Sequence, residues 1–463
     1  MVAPGAALLA KGMSLNPELL ETAKRVVSMA LAKGATGAEC TILEGSEFSV
    51  NVRRREVETL KDAGSKGAGV RVLVGKRVGS SYTSDLSQEG LVRMVSSAVE
   101  LARITTEDPY AGLPEEEELG SVAGDLQLFS DDIDAVDTSG RIALAQAAEE
   151  AAFRWDPRIV NSEGASFGAY RGCRYFANSR GFAGCYRASS CSISAVPVAK
   201  DGDSMERDYW YHISRSFAGL EAPERVGMLA AQRALRRLHP RKAPTQKAPV
   251  VFERRVAASL LGDLFEAVAG DSVYRQASFL AGKLDQKVGS SFLTVIDDAT
   301  IPGLFGSQPF DDEGVPSRRT TVLEKGVLRS YLLNTYTARK LGLKTTGNAS
   351  RGVTGNASVG HGNFFLEPGP DSPESIIRSV KNGFFVTELI GSGVNIVTGD
   401  YSLGATGLWI EGGELAYPVS EVTIAANLKD MLHRVEAVGS DLEFRGSIAS
   451  PTVLIGEMTI SGS

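Results

Sequence analysis

Apolar positions first recur at helical spacing in NPELLETAKRVVSMALAKG. Asn16 offers an N-cap, Pro17 suits the first helical position, and Gly34 can end the helix in the left-handed conformation. The period then changes from helical to alternating. AECTILEG and EFSVNVRRREVETLKD read as strands, and GAGVRVLVGKRVGSSYTS as a hairpin turning at Gly75–Lys76. SQEGLVRMVSSAVELARI returns to helical spacing. The acidic, proline-bearing segment TTEDPYAGLPEEEELG has no period and predicts a linker or exposed loop over 105–120.

A helix with an alanine-rich face is predicted from Thr138 to about Arg154. A meander of antiparallel strands follows, with one turn at Asn178–Gly181. PERVGMLAAQRALRRLHPRK predicts a helix whose cations suit its C-terminal end and read as a solvated face. HPRKAPTQKAP marks the clearest boundary, with a linker over 241–248. Beyond it, PVVFE reads as a strand and RRVAASLLGDLFEAVAG as a helix. Val256, Leu260, Leu264 and Val268 form the buried stripe of that helix. After Asp271 strands and turns dominate, and TGNAS occurs twice, at Thr346 and Thr354. The order predicts an α+β protein, with an N-terminal α+β region of antiparallel strands and a β-rich C-terminal domain. Its segments are 14–104, 121–240 and 249–463. Residues 1–13 read as a ragged start, with Met13 a candidate initiator.

Composition narrows the class. The 463 residues are 43% apolar and 23% charged, enough for a substantial core. A net charge of −7 disfavours direct nucleic-acid binding, which rests on neutralising phosphates. No apolar run reaches the roughly 18 residues that span a bilayer, and no basic region precedes the short apolar start, so a cytoplasmic protein is expected. Cys40, Cys173, Cys185 and Cys191 fit no common zinc spacing and read as core thiols.

Candidate chemistry is sparse. Gly164-Ala-Ser-Phe-Gly168 matches the G-x-S-x-G pattern, but the chain runs on into another strand, whereas a nucleophile elbow turns into a helix. Gly391-Ser-Gly393 lacks the third glycine of a dinucleotide loop and reads as a backbone turn. His212, His239, His361 and His433 form no local ligand pair. The residues alone therefore define a multi-domain α+β protein without a visible catalytic apparatus.

Two long blocks carry a resemblance: Pro309–Ala349, PFDDEGVPSRRTTVLEKGVLRSYLLNTYTARKLGLKTTGNA, and Val386–Leu432, VTELIGSGVNIVTGDYSLGATGLWIEGGELAYPVSEVTIAANLKDML. Both resemble the C-terminal domain of the TldD/PmbA family, once named for modulation of DNA gyrase. GAGVRVLVGKRVGSSYTS is similar to that family's first domain and FANSRGF to its central meander.

The resemblance implies the following. TldD-type chains hold zinc on a helix reading HExxxH, with a further ligand near the C-terminus; zinc needs three protein ligands and one open position. Here the corresponding stretch reads Phe265-Glu266-Ala-Val-Ala-Gly270, with both histidine positions changed, and Ser447–Pro451 holds no thiol or histidine. This pattern resembles the PmbA/TldE branch. No metal is expected in this chain and zinc is expected in a TldD-type partner, the two forming a heterodimer that acts on unfolded peptides. A homodimer is expected in the partner's absence. Family activities of this kind include leader-peptide removal and antitoxin degradation. Asp311, Asp312, Arg318, Arg319, Asp400 and Tyr401 are the substrate or interface candidates in the matched blocks. For the first four an internal ion-pair network is the competing reading; for Tyr401 it is a buried ring in a hydrogen-bonded turn. Two other functions remain open: a self-sufficient metallopeptidase with ligands such as His361 and Cys or Asp side chains, and a gyrase-related binding protein.

Overall fold

The computed structural model describes residues 14–462; the expectations for the first 13 residues lie outside them. The N-terminal half is built on one antiparallel sheet. Its strands are β1 (Gly37–Arg53), β2 (Glu56–Val74), β3 (Arg77–Thr83), β4 (Ile159–Asn178), β5 (Ala183–Asp201), β6 (Ser204–Arg207) and β7 (Trp210–Ser214). Their order is β3-β2-β1-β4-β5-β6, with β7 also on β5, so residues before and after the acidic segment share one sheet. The helices are α1 (Pro17–Ala32), α2 (Gln88–Ile104), α3 (Thr138–Trp155) and α4 (Pro223–Leu235).

Alternation along the long strands assigns the two faces. Cys40, Ile42, Val70, Val72, Cys173 and Tyr175 pack under α1 and α2. Farther along the same face Phe48, Val50, Ala165, Phe167 and Ile193 pack under α3 and α4. The intervening residues point to the second face. At one end these are Glu39, Thr41, Arg71 and Arg174, which meet the C-terminal half. At the other end Ser49, Ser166, Ser192 and Ser194 remain half-buried, with Ser166 and Ser194 hydrogen-bonded at 2.8 Å.

EFSVNVRRREVETLKD does not run as one strand. It folds back at Arg54 and Arg55, whose φ angles are 52° and 68°. The buried Glu149 carboxylate of α3 accepts both of their N–H groups, at 2.9 and 2.7 Å, and so secures a turn that lacks the usual glycine or asparagine. Gly75 and Gly181, with φ of 63° and 89°, form the two turns expected from the sequence.

In the C-terminal half, β8 (Gln246–Phe252) lies between strands Asn382–Ile390 and Val453–Ser461. Glu414–Asn427 and Asp400–Glu411 continue the sheet, and Asp400–Glu411 pairs back onto Asn382–Ile390, which closes it into a barrel. A smaller sheet contains Val295–Asp298, Arg319–Glu324, Val327–Leu328, Phe364–Leu366 and Ile448–Ala449. Helix α5 (Arg254–Val268) packs into the core between them through Val256, Leu264 and Val268, with Ala257, Leu261 and Ala267 widening the stripe and Leu260 only half-buried. The end of the first TGNAS copy forms a small ladder with the end of the second and the residue after it, pairing Ser350 with Ser358 and Ala349 with Val359.

The cationic end of α4 is not a solvated face. Arg233 is buried and bridges Asp208 at 3.2 Å and Glu253 at 2.9 Å, while Arg237 reaches Glu388 at 2.5 Å. These guanidiniums join the two halves of the chain, because Glu253 and Glu388 belong to the C-terminal half. Among the described residues no helix is long and apolar enough to cross a membrane.

Candidate functional site

Helix α5 ends at Val268, earlier than the sequence suggests. Ala269 is extended (φ −65°, ψ 131°) and Gly270 begins a separate five-residue helix, Gly270–Tyr274. Two backbone bonds fix this break: Leu332 N–H donates to Val268 O at 3.1 Å, and Gly270 N–H donates to Leu332 O at 2.8 Å. The resulting approach leaves no room at residue 270. A Cβ there would lie 2.6 Å from Thr337 Oγ1 and 2.7 Å from Leu333 Cδ2.

Phe265 faces the smaller sheet. Its ring meets His361 edge to face, with centroids 4.7 Å apart at 80°, and Phe364 at 5.9 Å. His361 Nδ1 lies 2.9 Å from Gly362 O. Beside it Asp297 accepts from Asn348 Nδ2 and from Gly362 N–H, both at 2.7 Å. Burial pushes the Asp297 carboxyl up to about 6, against the lowering influence of Asn348, His361 and Gly362. Glu266, the next residue of α5, is exposed. One turn earlier, Asp263 is pushed up to about 6 by burial and, secondarily, by the Glu266 charge.

Tyr401 is buried, and among the described residues its hydroxyl has no hydrogen-bond partner. Burial raises its pKa, and the Asp263 charge adds to the effect. Its neighbour Asp400 is exposed and accepts from Thr398 Oγ1 at 2.7 Å.

The other candidates divide by depth. Asp311 is fully buried and accepts N–H groups from Glu313, Val315 and Ala349 at 2.9, 3.0 and 2.9 Å. Asp312 pairs with Arg174 of β4 at 2.7 Å and accepts from Arg351 N–H at 2.6 Å. Arg318 is exposed, and Arg319 pairs with Glu367 at 3.2 Å on the outside. The two aspartates and the two arginines therefore do not form one network. Burial raises Asp311, with the nearby Glu313 charge adding to it; burial also raises Glu313, to which Glu39 adds.

The partners of these acids come from distant segments. Arg351 forms a buried ion pair with Glu39, and Arg71 Nη1 reaches the same carboxylate at 3.0 Å. Sequence reading missed Glu39, Arg71, Arg174 and Arg351. The one available signal was a charge, Glu39, inside the otherwise apolar AECTIL run. At the C-terminal end, Ile448–Ala449 pairs with Phe364–Phe365 and the buried Ser450 Oγ donates to Pro451 O at 2.9 Å. Cys40, Cys173 and Cys191 are buried and Cys185 is half-buried, all as free thiols; burial pushes Cys40 and Cys191 up to about 12. Among the described residues no three His, Cys, Asp or Glu side chains gather as a metal site requires.

Three family descriptions match consecutive parts of the chain: PmbA/TldA metallopeptidase domain 1 over residues 38–102, the central domain over 131–238, and the C-terminal domain over 245–462. The chain is 41% identical over 436 residues to the metalloprotease PmbA of Escherichia coli O157:H7, covering 94% of each sequence. It is 36% identical to a metalloprotease PmbA homolog of Haemophilus influenzae, covering 96% of each. Among solved structures, a Bacteroides thetaiotaomicron protein described as a modulator of DNA gyrase superposes with a TM-score of 0.90 at 27% identity, covering 97% of this chain and all of the other. TldE of Thermococcus kodakarensis shares the fold, with a TM-score of 0.84 at 21% identity over 95% of this chain and all of the other.

Proposed function

The chain belongs to the PmbA/TldD metallopeptidase family, and from that premise we propose that it is the subunit without zinc in a two-chain protease. A TldD-type partner holds the metal, and the heterodimer cleaves unfolded peptides in the cytoplasm. The observation that carries this reading is the state of the two positions that the resemblance sets opposite the HExxxH histidines. One is Phe265, whose ring packs against His361 and Phe364. The other is Gly270, where even a Cβ would collide with Thr337 and Leu333. A phenyl ring and a crowded glycine offer no donor atom to zinc, which takes three protein ligands and keeps a fourth tetrahedral position open.

The chain's own contribution is a wall. The second face of the N-terminal sheet ends in the half-buried serines Ser49, Ser166, Ser192 and Ser194. Small hydroxyls over regular backbone suit an extended substrate whose side chains vary, since main-chain recognition is indifferent to sequence.

Reconstitution tests the proposal. The purified chain alone leaves an unfolded peptide intact, and chelator-sensitive cleavage appears when a TldD-type chain is added. Chelator-sensitive cleavage by the lone chain contradicts it.

A further inference from the structure

Three arginines wall a cavity of about 130 Å³ at the first turn of α5. Arg254, Arg255 and Arg445 line it together with Tyr211, Glu443 and Ser450. The side chains of Arg445 and Arg255 are only 8% and 11% exposed, whereas Arg254 and Glu443 keep 30% each and stand nearer to solvent. The space well exceeds the roughly 15 Å³ that a single water needs, so a polar group of several atoms fits. The cavity also adjoins the serine-lined face of the N-terminal sheet. Tyr211 of β7 pairs directly with Ser194 of β5, and paired residues share a face, so Tyr211 belongs to both.

On that wall three guanidiniums meet one carboxylate. Glu443 is shared by Arg254 and by Arg445, the latter at 2.8 Å. Arg445 also donates to Tyr211 O and lies 3.6 Å from Glu221. Arg255 reaches Glu253 Oε2 at 3.5 Å, the limit of a hydrogen bond, and Arg233 already holds that carboxylate at 2.9 Å. Among the described residues Arg255 Nε and Nη1 and Arg445 Nε are buried without a hydrogen-bond partner. Such groups are ordinarily satisfied. Both guanidiniums lie over the Trp210 ring, Arg445 at 4.1 Å and Arg255 at 5.1 Å, which fixes their positions but accepts none of their in-plane N–H bonds. Cations also crowd behind the wall: burial and then the Arg233 charge push Arg236 down to about 10. Glu253, the N-cap of α5, makes no side-chain cap bond, so the positive end of this 15-residue helix adds to the field.

We propose that this arginine-walled cavity is a carboxylate site, which holds the free C-terminal end of an extended peptide lying along the serine-lined face. A carboxylate presents two coplanar oxygens to guanidinium N–H groups and is small enough for the space. In a peptide whose side chains vary, the terminal carboxylate is the one charged group at that end that every sequence carries. The peptide as occupant rests on the functional reading above; the anion chemistry of the cavity does not.

Calorimetric titration of the full chain, without partner or added metal, tests it. The probes are one unfolded peptide without acidic residues as its free acid, the same peptide as its C-terminal amide, and that amide with one internal glutamate. The free acid is expected to bind about tenfold or more tighter than either amide, the range of one hydrogen bond to a charged group. Arg254→Gln, at the more exposed part of the wall, is expected to erase this preference. Glu443→Gln, which frees Arg254 and Arg445 for the ligand, is expected to enlarge it. Equal binding of the free acid and its amide overturns the proposal. Binding of the glutamate-bearing amide as tightly as the free acid overturns the assignment to a chain end. A preference that both variants leave unchanged places the carboxylate elsewhere and also overturns it. Because binding is read on the lone chain, its failure leaves the reconstitution experiment untouched, and a failed reconstitution leaves the anion site standing.

Discussion

Phe265 and His361 meet edge to face with ring centroids 4.7 Å apart, and under the proposed function this contact occupies a position where the resemblance sets an imidazole in TldD-type chains. The aromatic pair gains its geometry from the quadrupole of each ring and from exclusion of water. Five residues on, Gly270 is held against Thr337 and Leu333 by the backbone bonds that join it to Leu332. Both positions are thus used for packing.

A first prediction concerns that packing. Gly270→Ala should destabilise the fold by about 1–3 kcal/mol, the usual range for overpacking a filled core. Urea denaturation reads the change. An Ala variant as stable as the wild type would show that the Val268–Leu332 strap yields easily, and would reopen this position to larger side chains.

Asp263 sets a pH dependence. Its folded pKa, about 6, lies above the ordinary carboxylate value. The protonated form is therefore favoured by folding, and this contribution is complete below about pH 4 and lost as pH rises through about 6. Asp263→Asn removes the buried charge. At pH near 7 it should be more stable than the wild type by about 1 kcal/mol, discounted for partial exposure, with the advantage gone near pH 4. Asp297 has the same sign in both proteins and cancels from the comparison. A difference independent of pH would exclude Asp263 titration as its source.

Arg351 and Glu39 are 312 positions apart and join the barrel-bearing half to the N-terminal sheet. Removing one member of a buried pair strands the other, at about 3–5 kcal/mol. Arg351→Met should therefore cost about 3 kcal/mol, since Arg71 remains on Glu39. Arg351→Met/Glu39→Gln should lose less than the two single changes summed. Additive losses in a double-mutant cycle would refute direct coupling.

The loop that carries Arg351 is seated by a glycine. A Cβ at Gly69 would fall 1.4 Å from Val353 O, and Arg71 Nε donates to Asn356 Oδ1 at 3.0 Å beside it. Gly69→Val should displace the 351–356 loop and raise its protease sensitivity while β2 retains its pairing with β1. Unchanged cleavage kinetics would mean that the loop is held elsewhere.

Much of this was legible in the sequence where local chemistry decides structure. The helix at Asn16–Gly34, the turns at Gly75 and Gly181, and the division into an α+β half and a β-rich half all follow from periodicity, caps and turn residues. The Arg54–Arg55 turn was hidden because its stabiliser, Glu149, lies 94 and 95 residues away. The cations ending α4 read as solvated because their acceptors, Asp208, Glu253 and Glu388, are gathered only by tertiary packing. For the candidate site, the resemblance pointed to Phe265 and Gly270, and the sequence did not show what surrounds them. Their contacts, His361, Thr337 and Leu333, come from later segments, and the arginines that hold Asp312 apart from Arg318 and Arg319 come from both sides of it in the chain, Arg174 before and Arg351 after.

Metal content by elemental analysis tests the central claim most directly. Protein purified without added metal is measured alone and after assembly with a TldD-type chain. The account predicts no zinc in the lone chain, and about one zinc per heterodimer that departs with the partner when the two are separated. Near-stoichiometric zinc retained by this chain alone would contradict it.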